Sequence, residues 1–207
     1  MKHNASFYET YIKRMIDIVL SACALVVLSP VLLVTAVLVR TKLGSPVIFC
    51  QERPGKDEKI FRLYKFRSMT SETDAEGNLL PDEVRLTRFG KLLRSTSLDE
   101  LPELWNILKG DMSIVGPRPE RPEIAAQYEQ ELPEFSLRLQ AKAGLTGYAQ
   151  VYGKYNTTPY DKLQMDLMYI AHPSFLEDLR IIFATIKILF LPESTEGVAE
   201  GQENAMK

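Results

Sequence analysis

The chain is poor in the side chains from which many catalytic and metal sites are built. It carries two cysteines, two histidines and one tryptophan. Cys23 lies inside an apolar run and Cys50 in a predicted strand, which gives neither a disulfide framework nor a metal-ligand spacing and fits a reducing, cytosolic setting. With only His3 and His172, no His-based triad or His-rich zinc site can be assembled. A cationic excess is missing too. The 25 Lys and Arg stand against 27 Asp and Glu, a net charge of −2, which argues against a general nucleic-acid binder. Acid, base or nucleophile work therefore falls to carboxylates. The 207 residues, 45% apolar and 25% charged, suffice for one sizeable core with appendages.

What is present begins with residues 16–39, IDIVLSACALVVLSPVLLVTAVLV, a run of membrane-helix length. Ser29-Pro30 interrupts it. Proline removes one helical hydrogen bond and pushes against the carbonyl of Val26, so a bend is expected. At ~1.5 Å per residue the two halves reach roughly 21 and 15 Å, each short of a hydrocarbon core of ~30 Å. Lys13 and Arg14 precede the run and Arg40 and Lys42 follow it, so both flanks carry the cytoplasmic pattern. A re-entrant helix dipping into one leaflet satisfies both flanks; a proline-kinked spanning helix is the alternative. Lys13 and Arg14 read as membrane-surface anchors, with Asp17 placed to pair with either near the headgroups.

Residues 46–51 (PVIFCQ) and 60–69 (IFRLYKFRSM) read as strands around an Arg53-Pro54-Gly55 turn. Lys65 and Arg67 share one strand face among Tyr64, Phe66 and Met69, as a phosphate-binding pair or as members of half-buried ion pairs. Residues 71–83 read as a mobile acidic loop. Arg85, Arg88, Lys91 and Arg94 then recur every third residue, a cationic helix strip facing anionic lipid or phosphate, with Arg94 nearest to the carboxylates that follow.

Those carboxylates open residues 97–119, SLDELPELWNILKGDMSIVGPRP. Ser97 and Glu100 have the form of a capping box, or Asp99 caps and Pro102 occupies the first turn. Leu101, Leu104, Trp105 and Leu108 form the expected buried stripe, and Gly110-Asp111 the stop. Asp99 and Glu100 can be ordinary helix-start acids. A helix start also favours anions and keeps a carboxylate ionised. Such a group can attack phosphorus covalently, while its neighbour holds Mg²⁺ with substrate phosphates. Arg118, stiffened by Pro117 and Pro119, suits a forked contact to phosphate.

Farther on, residues 122–131 and 134–139 read as short helices, and Pro159 opens another running toward Ala171. Asp166 and Tyr169 on it are candidate site residues, with a satisfied surface pair as the preferred reading. Ser174 and Glu177 form a capping box before an apolar helix too short to span ahead of Pro192.

The stretch at 97–119, with YKFRSM and RLTRFGKLLR before it and LTGYAQVYG after it, closely resembles the bacterial sugar transferase family. These are monotopic phosphoglycosyl transferases that start glycan assembly on a polyprenol carrier. The resemblance runs from Lys13-Arg14 to Gly153. It implies a helix-rich α+β fold: a re-entrant membrane helix broken at Ser29-Pro30, and a small cytosolic catalytic domain with short strands and interfacial amphipathic helices. The divisions expected are residues 1–42, 43–192 and a disordered acidic tail at 193–207.

The implied reaction moves a sugar-1-phosphate from a UDP-sugar to undecaprenyl phosphate, with Mg²⁺, releasing UMP at the cytoplasmic face of the bacterial inner membrane. By matching position, Asp99 is the nucleophile and Glu100 its acid/base or metal-binding partner, both at the metal. Lys65, Arg118 and, less directly, Arg94 become phosphate ligands. Within AGLTGYAQVYGKYN, whose spacing matches no Walker or dinucleotide loop, Gly144, Thr146, Gln150, Gly153 and Lys154 are the nucleotide-sugar candidates. Lys154 departs from the arginine of many relatives. An apolar membrane-associated surface is compatible with a homodimer. An inactive scaffold of the same fold and a bitopic partner-binding protein compete with the enzyme reading, but only an enzyme needs Asp99, Glu100, Lys65 and Arg118 together.

Overall fold

The computed structural model describes residues 5–153 and 157–189. Lys154 and the expected tail at 193–207 lie outside the described residues. A π-helical turn, Tyr8–Ile12, leads into α1 (Lys13–Val27), and α2 (Ser29–Lys42) follows. The two helical arms meet at 63°. The bend has the local cause the sequence suggests. Pro30 has no N–H to offer the Val26 carbonyl, and the Ser29 hydroxyl donates to that oxygen instead at 2.7 Å. Among the described residues no single helix is long and apolar enough to cross a membrane, and only the bent pair passes that test jointly.

The pair is inside-out by the standard of a water-soluble protein. Val26 and Val27 are each 74% exposed and Leu33 67%, whereas Asp17, Ser21 and Thr35 are buried. Asp17 accepts hydrogen bonds from the Ser113 hydroxyl and the Ile114 amide at 3.1 and 3.0 Å. It therefore ties α1 to the body of the chain rather than pairing with Lys13 or Arg14. Those two cations also have partners within the chain. Lys13 pairs with Asp178 at 2.5 Å, and Arg14 donates to the carbonyls of Ile107 and Leu108 at 2.7 and 2.8 Å.

β1 (Ile48–Pro54) and β2 (Ile60–Phe66) form an antiparallel hairpin that aligns Phe49 with Lys65. The expected loop at 71–83 is locally bonded, with a Thr73–Leu79 bridge and Asp74 accepting from the amides of Glu76 and Asn78 at 3.0 and 2.8 Å. The cationic strip is not one helix. α3 (Asp82–Arg85) ends before Thr87, whose side chain caps α4 (Arg88–Ser95) by accepting from the Gly90 amide. Arg85 consequently turns to Asp82 while Arg94 turns inward.

α5 (Glu103–Lys109) stops at Gly110, whose φ of 99° is the left-handed cap glycine tolerates. β3 (Met112–Val115) and β4 (Ala143–Thr146) then pair in parallel, bracketing α6 (Pro122–Glu131) and a 3-10 segment, Pro133–Gln140. The close approach beside this sheet needs glycine, because a Cβ on Gly144 would lie 2.2 Å from the Gly116 nitrogen. α7 (Tyr148–Tyr152), α8 (Pro159–Ala171) and α9 (Phe175–Leu189) complete the chain. α8 opens on a full capping box between Thr158 and Asp161.

Two buried clusters position the centre of the molecule. Leu63, Leu104, Ile107 and Met112 form one, with Ala24, Leu25 and Leu28 of the bent arm packed on it. Val39, Leu43, Phe66 and Leu93 form the other, against which Leu98 and Leu101 lie. The apolar pair is thus part of the core that carries residues 97–119.

Candidate active site

The site starts from a turn that the sequence pattern did not foresee. Ser97 adopts a left-handed conformation at φ 54°, and Leu98–Glu100 form a 3-10 turn ahead of α5. No side-chain cap forms at Ser97 or Pro102, so neither the Ser97/Glu100 box nor an Asp99 cap exists. Leu98 and Leu101 instead anchor the turn on either side of the dyad. The reversed turn leaves Asp99 8% exposed.

α5 is turned differently from the expected stripe. Glu103, Leu104, Asn106 and Ile107 are its buried residues, while Trp105 is 51% exposed. The two polar members of that face explain the rotation. Asn106 accepts from the Tyr64 amide at 3.0 Å and donates to the Arg62 carbonyl at 2.7 Å, satisfying β2 backbone groups that would otherwise be buried without partners. Each such bond contributes about 1 kcal/mol net, and losing one partner costs more. Glu103 pairs with Lys65 at 3.2 Å. Docking α5 on β2 therefore places Lys65 among three carboxylates.

Lys65 also reaches Glu100 at 2.7 Å, and Arg118 forms a second ion pair with Glu100. Burial raises the Glu100 pKa, but Arg118 and Lys65 outweigh it and hold the carboxyl well below its ordinary value. Asp99 is the contrast. Among the described residues its carboxylate has no hydrogen bond and no ion pair. Burial, with the charge of Glu100 added, raises its pKa to about 6, against weaker lowering by Lys65, Arg94 and Arg118. Asp99 therefore ionises at a higher pH than an ordinary aspartate. Arg94, whose Nε donates to Ser68 Oγ at 3.0 Å, lies within the field of Asp99.

The sequence-derived residues Asp99, Glu100, Lys65, Arg118 and Arg94 are therefore brought to one place. Arg67 is not with them, since it donates to Ser71 at an exposed position. Glu103 was missed, although its place one helical turn after Glu100 is a usable signal.

A larger omission lies behind Arg118. Arg138, 3% exposed, donates to Asp166 through Nε at 2.8 Å and through a terminal nitrogen at 2.6 Å, and to the Arg118 carbonyl at 2.9 Å. Glu120 accepts from Lys162 at 2.7 Å and pairs with Arg138 at 3.5 Å. Arg53 donates to the Pro119 carbonyl at 3.1 Å. The Pro-Arg-Pro loop is thus held from behind by buried charge. Asp166 and Tyr169 are buried, not surface, and are not paired with each other, because Tyr169 donates to Asp178 at 2.6 Å.

The glycine-rich candidates divide. Gly144 and Thr146 serve the packing of β4, with the Thr146 hydroxyl bonded to that of Thr185 at 2.6 Å. The Gly153 amide closes α7 on Ala149 at 3.0 Å. Gln150 donates to the Leu145 carbonyl at 3.1 Å and keeps a buried Oε1 with no partner among the described residues.

Among the described residues no three Asp, Glu, His or Cys side chains cluster to hold a metal. Mg²⁺ asks for less, one or two carboxylates plus substrate phosphates, and the unpartnered Asp99 fits it. Glu100 fits only as a second ligand that gives up Lys65 or Arg118.

A model of the bacterial sugar transferase family matches residues 8–192. The chain is 43% identical over 185 residues to the Bacillus subtilis (strain 168) protein named uncharacterized sugar transferase EpsL, covering 89% of this chain and 90% of that one. It is 39% identical over 184 residues to the UDP-N-acetylgalactosamine-undecaprenyl-phosphate N-acetylgalactosaminephosphotransferase of Aeromonas hydrophila, covering 86% and 44%. Against the UDP-glucose:undecaprenyl-phosphate glucose-1-phosphate transferase of Escherichia coli (strain K12), identity is 41% over 182 residues, covering 84% and 39%. The chain thus spans most of EpsL but less than half of the other two proteins.

Proposed function

Since the chain belongs to the bacterial sugar transferase family and is a transferase, we propose that it moves a sugar-1-phosphate from a UDP-sugar to undecaprenyl phosphate. The names of its relatives support that donor and acceptor class. The observation that carries the chemistry is the asymmetry of the dyad: Glu100 is clamped by Lys65 and Arg118, while Asp99 is buried and unpartnered.

In this reading an Asp99 oxygen attacks the sugar-bearing phosphorus of the UDP-sugar. The new P–O bond gives an aspartyl phosphosugar, and the bond to the other phosphate breaks with its electron pair leaving on UMP. An oxygen of the carrier phosphate then attacks the same phosphorus, forming the polyprenyl diphosphate sugar and returning the Asp99 carboxylate. Neither step takes a proton from the nucleophile, so no general base is required. Substrate phosphates compete with Glu100 for Lys65 and Arg118, which keeps those cations in place before substrate arrives. Mg²⁺, held by Asp99 and the substrate phosphates with Glu100 as an exchangeable ligand, would neutralise charge on the diphosphate.

A lipid-phosphate acceptor requires the site to lie at a membrane surface. The inside-out exposure of α1 and α2 and their 63° bend support a re-entrant insertion from the cytoplasmic face of the cell membrane. The test is UMP release across a panel of UDP-sugars with undecaprenyl phosphate and Mg²⁺. Release with at least one donor is expected, and its absence with every donor contradicts the reading.

A further inference from the structure

A second basic site lies away from the dyad. A cavity of about 250 Å³ opens beside residues 5–10, where the chain enters the apolar pair, and its wall includes Lys13, Arg14, Lys56 and Lys142. Asp99, Glu100, Lys65 and Arg118 do not line it. Two of its cations are already used, Lys13 by Asp178 and Arg14 by the carbonyl end of α5. Its carboxylates are used as well: Asp17 accepts from Ser113 and Ile114, and Glu9 accepts from the Ser6 amide at 2.8 Å.

Lys56 and Lys142 are left half-buried, with no hydrogen bond or ion pair among the described residues. Burial first, then Arg14 and Lys56, hold the Lys142 ammonium below its ordinary pKa against raising by Asp17 and Asp111, a cost that a bound anion beside it would offset. The volume is below the ~300–1,000 Å³ of clefts that enclose drug-sized ligands. That size suits a single phosphate group better than a whole nucleotide-sugar.

We propose that this cavity is a phosphate-binding site separate from the Asp99 centre, with Lys56 and Lys142 as its ligating side chains. A phospholipid headgroup and free phosphate offer the same chemistry. The lipid source would fix the depth at which the bent pair enters the bilayer.

The experiment has two arms, each run on the full chain as wild type, Lys56→Gln/Lys142→Gln, Lys142→Arg and Arg118→Met. Native mass spectrometry after release from phosphatidylglycerol nanodiscs counts retained lipid, and calorimetry in detergent measures inorganic phosphate. The double variant is expected to lose about tenfold or more in one arm, which names the source, while Lys142→Arg retains binding there. Wild-type binding by the double variant in both arms overturns the proposal. So does loss of all phosphate and lipid binding in Arg118→Met, which would assign the anion to the dyad. Should circular dichroism show the double variant unfolded, Lys56→Gln alone is expected to lose about threefold, and unchanged binding there overturns the proposal equally.

Discussion

Two groups of buried carboxylates lie close together in this chain, and they differ in how completely their charges are met. Behind the Pro-Arg-Pro loop, Asp166 and Glu120 face Arg138 and Lys162, and each acid is bonded. At the dyad, Glu100 and Glu103 take Lys65, Glu100 also takes Arg118, and Asp99 takes nothing among the described residues. Both groups are out of water, so burial alone does not separate structure from chemistry. Pairing does. A matched acid holds a loop in place, whereas an unmatched one raises the energy of the fold and leaves a carboxylate free for an electrophile or a cation.

Exchanging the acids for their amides separates the two groups most directly. Asp99→Asn is expected to lower UMP release by about a thousandfold or more, whereas Asp166→Asn retains turnover in proportion to its folded fraction. Equal turnover losses per folded molecule would erase the distinction. Next in size, Arg138→Met leaves Asp166 buried without its cation. A stability loss of about 3–5 kcal/mol is expected, read from urea unfolding in detergent, and a loss under 1 kcal/mol would mean the network carries no load.

The smallest effect has the opposite sign. The Asp99 pKa is raised from 3.8 to about 6 in the folded chain, so the folded state favours its protonated form. That contribution is fully present below the unfolded pKa and is lost as pH rises through about 6. Above that pH the ionised carboxylate costs up to about 3 kcal/mol, since its pKa rises by roughly two pH units at about 1.36 kcal/mol for each. Asp99→Asn should therefore melt higher than wild type at pH 8 and no higher at pH 3.5. Wild-type kcat/KM should also fall with unit slope below about pH 6 as the nucleophile protonates.

Much of this arrangement is legible in the residues themselves. The bend at Ser29-Pro30 follows from one missing N–H, and the meeting of Asp99, Glu100, Lys65 and Arg118 from motifs that each carry a chemical demand. The orientation of α5 was not legible, because apolar periodicity cannot see that Glu103 and Asn106 turn inward to serve β2. β3 and β4 were missed because each spans four residues and β4 contains a glycine, so alternation has no length in which to show. Lys13 and Arg14 follow the charge pattern of membrane flanks yet are consumed by protein partners more than ninety residues away. Arg138 and Asp166, 28 residues apart, carry no local signal at all.

The proposed chemistry requires Asp99, rather than Glu100, to take the phosphosugar. Intact-protein mass spectrometry of the chain mixed with Mg²⁺ and its accepted UDP-sugar, without undecaprenyl phosphate, tests this in one experiment. One equivalent of UMP should appear with a mass gain of one sugar phosphate, mapped by peptide fragmentation to Asp99 and discharged on adding the carrier. UMP released only when the carrier is present, with no mass gained by the protein, or an adduct mapped to Glu100, would contradict it.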